Sequence, residues 1–250
     1  MTVQWVGHAT ALIDVDGHRI LTDPLLTRRV AHLRRRRTLP PADVADVDTV
    51  LLSHAHLDHL HLPSLRHLRP DARFITPVGT GKLLRAAGFT DVTEVRVGDT
   101  VNLDGPLLTA EVVPAAHKHG RGPHSRISAP PVGYVVSGAG RRVYFPGDTD
   151  LFAGMGSLAD IDVALLPIWG WGSSLGVGHL DPTRAATATG LIRPGIVVPI
   201  HWGTYAPEDG RRQLPSWFET PPDLFAAALD EADLSSHLHL LQPGESVTLP

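Results

Sequence analysis

The sequence predicts an α/β fold in which two mixed β-sheets lie face to face, with helices on their outer sides. Three observations carry this expectation. Short apolar stretches rich in Val, Ile and Leu recur along the 250 residues, helical stretches fall between them, and the strand-and-helix alternation occurs once in each half of the chain. A hydrophobic content of 42% can bury a substantial core, so one domain over residues 1–250 is expected.

The elements follow in order. Val3 and Trp5, then Ala11, Ile13 and Val15, alternate as half-buried strands do, and Asp16-Gly17 marks a turn before Arg19-Ile20-Leu21. This reads as an antiparallel meander. After a basic, proline-flanked segment from Arg28 to Pro41, Val47 to Leu52 read as a strand and Pro63 to Leu68 as a helix. Phe74-Ile75 and Val92 to Val97 continue as strands around a helical stretch from Gly79 to Ala87. In the second half, strands are expected at Leu107 to Val113, Val132 to Ser137, Arg142 to Phe145, Val163 to Leu166 and Gly195 to Ile200. Helices are expected at Leu151 to Leu158, Pro182 to Gly190 and Asp223 to Ala232, followed by a short final strand. Gly122 to Pro131 reads as a surface loop, and no short repeat suggests a solenoid.

Composition narrows the chemistry. With no cysteine, disulfides and thiolate ligands are excluded, so any metal must be held by nitrogen and oxygen: zinc first, with manganese or iron also compatible. A net charge of −4 argues against a generic nucleic-acid binder. No apolar stretch reaches the ~18–20 residues of a membrane span, and Met1-Thr2-Val3-Gln4-Trp5 lacks the basic start and apolar run of a secretory signal. A cytoplasmic protein is the expectation.

The chemistry concentrates in Leu51-Leu52-Ser53-His54-Ala55-His56-Leu57-Asp58-His59-Leu60, where four potential metal ligands follow an apolar strand. In an extended continuation His54 and His56 point to one side. With Pro63 opening a helix, Asp58 and His59 lie in the turn above it and can face a second ion. Fifteen histidines in one chain will cluster by chance in places, but four ligand types within six positions at a strand end favour metal binding. Three further donors occupy comparable places: His117 after Val112-Val113-Pro114, Asp148 after Tyr144-Phe145-Pro146-Gly147, and His201 after Val197-Val198-Pro199-Ile200. Sites on one rim of an α/β assembly are built from such strand ends, because their loops converge while the sheet sets their spacing.

With these residues the chain resembles the metallo-β-lactamase-fold hydrolases, whose HxHxDH signature is matched by His54, His56, Asp58 and His59. The resemblance spans nearly the whole chain. It implies the four-layer αβ/βα sandwich, with His54, His56 and His117 on one metal, Asp58, His59 and His201 on another, and Asp148 bridging. Gly7-His8-Ala9-Thr10, Leu21-Thr22-Asp23-Pro24 and Gly178-His179-Leu180-Asp181-Pro182 are similar to the branch of ascorbate-phosphate lactonases and N-acyl-phosphatidylethanolamine-type phospholipases D. Lys118-His119-Gly120-Arg121 departs from the Trp-containing continuation of those phospholipases, which argues against their lipid substrates.

Two metals about 3.5–4 Å apart can share a water and hold it as a bridging hydroxide for attack. Two divalent ions bring four positive charges while Asp58, Asp148 and one hydroxide remove three, so the pocket would favour an anion such as a phosphoester. Asp58 is the candidate to orient the nucleophile and accept its proton, and His179, delivered by a Gly-rich loop, the candidate to contact the substrate or protonate a leaving group. The alternative for His179 is a helix-entry residue, with Asp181 as cap. Asp23 either holds a ligand histidine or makes a Thr-Asp-Pro turn. His8 either faces the cleft or is a buried structural histidine. His119 and His124 read as loop residues, the former at the pocket entrance. Trp169 and Trp171 form an aromatic wall beside the metals, or one or both of them pack in the core. Arg28, Arg29 and Arg34 to Arg37 either clamp phosphate or form a solvated face.

The function expected is a dinuclear metal-dependent hydrolase acting on a small anionic ester, with phosphodiester cleavage ahead of lactone opening and nuclease action third. From another class comes a metal-binding sensor without turnover. A diiron flavoprotein partner would need a flavin module for which the sequence shows no signal.

Overall fold

The alternation of Val3, Trp5, Ala11 and Ile13 becomes the antiparallel meander it predicts. Strands β1 (Thr2–Gly7), β2 (Thr10–Val15) and β3 (His18–Thr22) pair in sequence. The chain then continues through β4 (Arg29–Val30), β5 (Leu33–Arg35), β6 (Thr49–Leu51), helix α1 (Leu62–Leu65), β7 (Arg73–Pro77), α2 (Gly81–Ala86) and β8 (Val92–Val95). Next come β9 (Thr100–Asn102), β10 (Thr109–Pro114), β11 (Val132–Gly138), β12 (Arg141–Phe145) and β13 (Val163–Pro167). The last elements are α3 (Pro182–Ile192), β14 (Ile196–Ile200), β15 (Tyr205–Pro207), α4 (Ser216–Glu219), α5 (Pro221–Glu231) and β16 (Ser246–Thr248). This computed structural model describes residues 1–39, 41–105, 107–122, 125–208 and 214–249, so Pro40 and His124 lie outside the described residues.

One mixed sheet has the order β16-β1-β2-β3-β6-β7-β8 and the other β14-β13-β12-β11-β10-β9. Period-two burial divides the first sheet's residues between two cores. Trp5, Ile13, Ile20, Leu51 and Ile75 join Tyr134, Val136 and Leu165 of the second sheet in the central cluster. Their neighbours Leu12, Leu21, Val50 and Phe74 face the other way, against Leu65 of α1 and Leu84 of α2. On the far side of the second sheet α3 packs against α5, with Ala185, Ala188, Phe225 and Leu229 buried.

Five features differ from the sequence expectation. The helix expected at Leu151 to Leu158 is only a 3₁₀ turn at Met155–Ser157: Asp150 caps the Leu151 N–H, and Gly154 at φ +90° stops any earlier helix. The helix expected from Pro63 shrinks to the four residues of α1. The two halves do not map cleanly onto the two sheets, because β16 crosses back to pair with β1. The Arg-rich segment contributes β4 and β5 to a third, small sheet, β15-β5-β4. Within the segment expected as a surface loop, Arg121 N–H donates to Ile127 and Ala129 N–H to His119, forming a short hairpin.

Candidate metal centre

The parallel pairing of β12, β13 and β14 sends their C-terminal ends to one edge, and β10, two antiparallel steps from β12, ends there too. His117, Asp148 and His201 therefore leave the second sheet together. From the first sheet, His54 and His56 follow β6, and a turn closed by N–H donation from His59 and Leu60 to the His56 carbonyl delivers Asp58 and His59. His201 at φ +64° anchors its N–H on the His8 carbonyl, and His8 at φ +54° anchors its own N–H on Thr204 Oγ1. Gly147 at φ +62° lets the Asp148 strand end lie against Ser53, where a Cβ would collide with the serine side chain.

Two groups of donor atoms converge. One comprises His54, His56, His117 and Asp148, the other His8, Asp58, His59 and His201, with the atoms of each group within 4.8 Å of one another. His56 Nδ1 lies 3.0 Å from both His54 Nε2 and His117 Nε2. Asp148 spans the two groups: its Oδ2 is 3.3 Å from His59 Nε2 and 3.9 Å from His117 Nε2, and its Oδ1 is 3.2 Å from His201 Nε2.

Hydrogen bonds on the far side of each ring decide the tautomers. His117 Nδ1 donates to the Gly178 carbonyl at 2.6 Å and His201 Nδ1 to the Trp169 carbonyl at 2.7 Å. His59 Nδ1 donates to Asp23 Oδ2 at 2.7 Å. The Ser53 hydroxyl donates to the same Asp23 oxygen, so it accepts from His54 Nδ1. These partners place the proton on Nδ1 and leave Nε2 of His54, His59, His117 and His201 as lone pairs. With both rings neutral, His59 and His201 present lone pairs to each other across 3.2 Å, beside a buried Asp148 Oδ1 that takes no hydrogen bond. Lone pairs and carboxylate oxygens crowded in this way fit cations, and the set is of the nitrogen-and-oxygen type that zinc, manganese and iron accept.

Titration agrees for every ring but His59. Burial, reinforced by His117, holds His56 down to about 4, and burial holds His201 down to about 3 despite Asp148. Burial and the neighbouring His59 push His54 well below its ordinary range. Asp58 and Asp148 are ionised: burial opposes this, but the charges of His59 on Asp58, and of His201 and His59 on Asp148, outweigh it. His59 is raised, because the charges of Asp148 and Asp58 overcome its burial. Without a metal, His59 therefore carries a proton on Nε2 as well, between Asp148 and His201, in the place a cation would take.

The remaining sequence candidates separate. Asp23 is fully buried and accepts from the Ser53 N–H and hydroxyl as well as from His59. His8 is buried, with Nε2 3.1 Å from Asp58 Oδ2 and its ring centroid 3.9 Å from that of His201, the two planes tilted by 36°. His179 Nε2 lies 3.5 Å from Asp148 Oδ2 and its Nδ1 donates to the Gly176 carbonyl. Burial lowers its pKa, but the hydrogen bond and charge of Asp148 raise it by more. Asp181 does cap α3, accepting from the Arg184 N–H. A cavity of about 650 Å³ opens over both donor groups, walled by apolar Leu33, Leu57, Trp171 and Leu175 and bordered by the cationic Lys118 and Arg121.

Three expectations need correction. The tryptophans do not form a joint wall: Trp171 lines the cavity against His32, whereas Trp169 packs on the core and serves His201 through its carbonyl. His119 is exposed and does not border the cavity. The arginine run does not line the cavity as a phosphate clamp would, and the solvated face expected of it holds for the exposed Arg28, Arg29 and Arg34 but not for Arg35. Arg35 is buried, donating to the carbonyls of Val6, Leu25 and Thr38, Arg29 and Arg34 pair with Glu208, and Arg37 pairs with Glu219. Sequence reasoning also missed Ser53, whose hydroxyl next to the first histidine was the available signal. The orienting carbonyls of Gly178 and Trp169 carry no side-chain signal at all.

Comparison with known proteins is consistent with this arrangement. A family model described as a beta-lactamase superfamily domain matches residues 18–202. The chain is 34% identical over 251 residues to a UPF0173 metal-dependent hydrolase of Methanopyrus kandleri, covering 98% of this chain and 99% of that protein. It is 32% identical over 225 residues to N-acyl-phosphatidylethanolamine-hydrolyzing phospholipase D 1 of Caenorhabditis elegans, covering 80% of this chain and 63% of that enzyme. Among solved structures, the metallo hydrolase Igni18 of Ignicoccus hospitalis superposes with a TM-score of 0.76 at 28% identity, covering 100% of this chain and 98% of that one.

Proposed function

Because this chain belongs to the metallo-β-lactamase superfamily and is a metal-dependent hydrolase, we propose that it holds two divalent ions and cleaves a small anionic ester, a phosphodiester ahead of a lactone. Its two sheets with outer helices are the αβ/βα sandwich of that superfamily. Zinc is the first choice of ion, and residues 1–250 work as one domain in the cytoplasm. Among the described residues no helix is long and apolar enough to cross a membrane.

The observation that carries the proposal is the approach of His59 Nε2 and His201 Nε2 to 3.2 Å beside Asp148, with His54, His56 and His117 gathered on the other side of the same carboxylate. In this reading His54, His56 and His117 would hold one ion and Asp58, His59 and His201 the other, with Asp148 available to both. When bound, the pair would supply Lewis acidity and a water made nucleophilic near neutral pH. The protein supplies the rest. Asp58, held by His8, orients the attacking water and accepts its proton. His179 borders the cavity and carries a proton to the leaving oxygen, its raised pKa keeping more of it protonated near neutrality. Lys118, which makes no ion pair among the described residues, receives the anionic group, and the apolar wall around Trp171 takes the uncharged part of the substrate. Support for a phosphodiester comes from that cation and from the phospholipase D relative.

The test is metal content per chain after purification without chelator, paired with hydrolysis of bis-p-nitrophenyl phosphate and a small lactone, before and after chelation and metal return. Two ions and restorable phosphodiester turnover are expected. Turnover of the lactone alone reverses the ranking, and two ions without any turnover favours a sensor.

A further inference from the structure

The loop carrying His56, Asp58 and His59 has little of its own to hold it. Beyond β6 its internal backbone hydrogen bonds, among the described residues, are those of His59 and Leu60 to the His56 carbonyl. The carbonyls of Ala55 and Leu60, which bracket the three donors, are satisfied from outside. Arg121 Nη1 donates to both, at 3.0 Å each, and neither accepts another hydrogen bond among the described residues.

Arg121 belongs to the hairpin that directly follows His117, fixed there by its own N–H on Ile127 and by the pairing of Gly120 with Ser128. Its guanidinium is half-buried at the cavity edge and makes no ion pair with a carboxylate among the described residues. A charged donor placed on two carbonyls forms stronger bonds than a neutral one and fixes their separation. One side chain therefore ties the segment of His117 to the segment of His56, Asp58 and His59.

We propose that Arg121 is a positioning residue of the metal centre, whose guanidinium sets the spacing between His117 and the loop that carries His56, Asp58 and His59. The inference rests on the proposed function, in which these four residues hold metal. An error of a few tenths of an ångström in that spacing falls on His56 Nδ1 and His117 Nε2, which have to meet at one point.

The experiment is a Co²⁺ titration of wild type, Arg121→Met and Arg121→Lys, followed by the visible absorption of the bound ion. In Arg121→Met the metal affinity is expected to fall on the order of 10- to 100-fold, the cost of losing a group that orients ligands. Its absorption bands should also change, and millimolar guanidinium should restore part of both. Arg121→Lys, which keeps the charge and most of the stem, is expected between the two and remains measurable if the Met variant does not fold. Wild-type affinity and spectrum in the variants overturn the inference alone, as does a raised KM with unchanged metal binding, which would make Arg121 a substrate contact. A wild-type chain that takes up no Co²⁺ overturns the proposed function and this inference with it.

Discussion

The carboxylate of Asp23 receives both the N–H and the hydroxyl of Ser53, at 2.7 and 2.5 Å. Through Ser53 Oγ it orients His54, and through its own Oδ2 it orients His59, one imidazole in each donor group. A single carboxylate without access to solvent thus sets two ring orientations. Asp23→Asn removes one acceptor site and is expected to weaken both ions, by about 10- to 100-fold, as is typical for loss of a partner behind a metal ligand. Isothermal titration with Zn²⁺ checks this, and loss of one ion alone would contradict the shared role.

Gly147 is required by the same serine. Its φ of +62° and the absence of space for a Cβ against Ser53 make Gly147→Ala destabilising by about 1–3 kcal/mol, the range for forcing extra atoms into a packed site. Pairing it with Ser53→Gly should recover part of the melting temperature, because the collision is removed. Metal affinity should not recover, because His54 has then lost its Oγ partner. Full recovery of both would show that the hydroxyl orients nothing.

Acid should destabilise the metal-free protein before it reaches the carboxylate range. His54, His56, His117 and His201 all have folded pKa values lowered by burial, to about 4 for His56 and about 3 for His201, against an unfolded value of ~6.5. Between those limits the unfolded chain binds protons that the folded chain does not, so stability rises with pH across the window and is lost as pH falls. His59 and His179, whose pKa values are raised, are protonated in both states there and add no slope; their contribution is lost only at higher pH. The low pKa values of Asp58 and Asp148 act below the window. Urea midpoints of chelated protein should therefore drop steadily from pH 6.5 to 4.5, and a flat profile would contradict the buried, neutral histidines.

Lys118 offers a test of the substrate's charge. Lys118→Ala is expected to raise KM for an anionic ester about two- to fivefold with little change in kcat, in line with the up to ~1 kcal/mol of an exposed charge pair. The effect should shrink with added salt. An equal effect on a neutral ester would remove Lys118 from anion recognition.

The residues that converge on the centre were legible because each follows an apolar strand, and the position of a strand along the chain is written in local periodicity. His54, His56, Asp58, His59, His117, Asp148 and His201 all stand immediately beyond stretches of Val, Leu, Ile or Phe, and the structure brings all seven together. What sequence could not carry was held by backbone or by distant partners. The carbonyls of Gly178 and Trp169 fix two tautomers without a side-chain signature, and the pair of hydrogen bonds from Arg121 to the His56 loop joins positions more than sixty residues apart.

By itself, then, the sequence determined the layered α/β architecture and the donor types, because hydrophobic period and strand-end placement are local properties. Only the tertiary structure decided the path of β16, the structural use of Arg35 and the division of labour between Trp169 and Trp171. It also decided which nitrogen of each histidine faces the centre. These depend on which buried donors and acceptors meet across the fold, and such pairings are chosen by the need to satisfy polar groups once the sheets have closed.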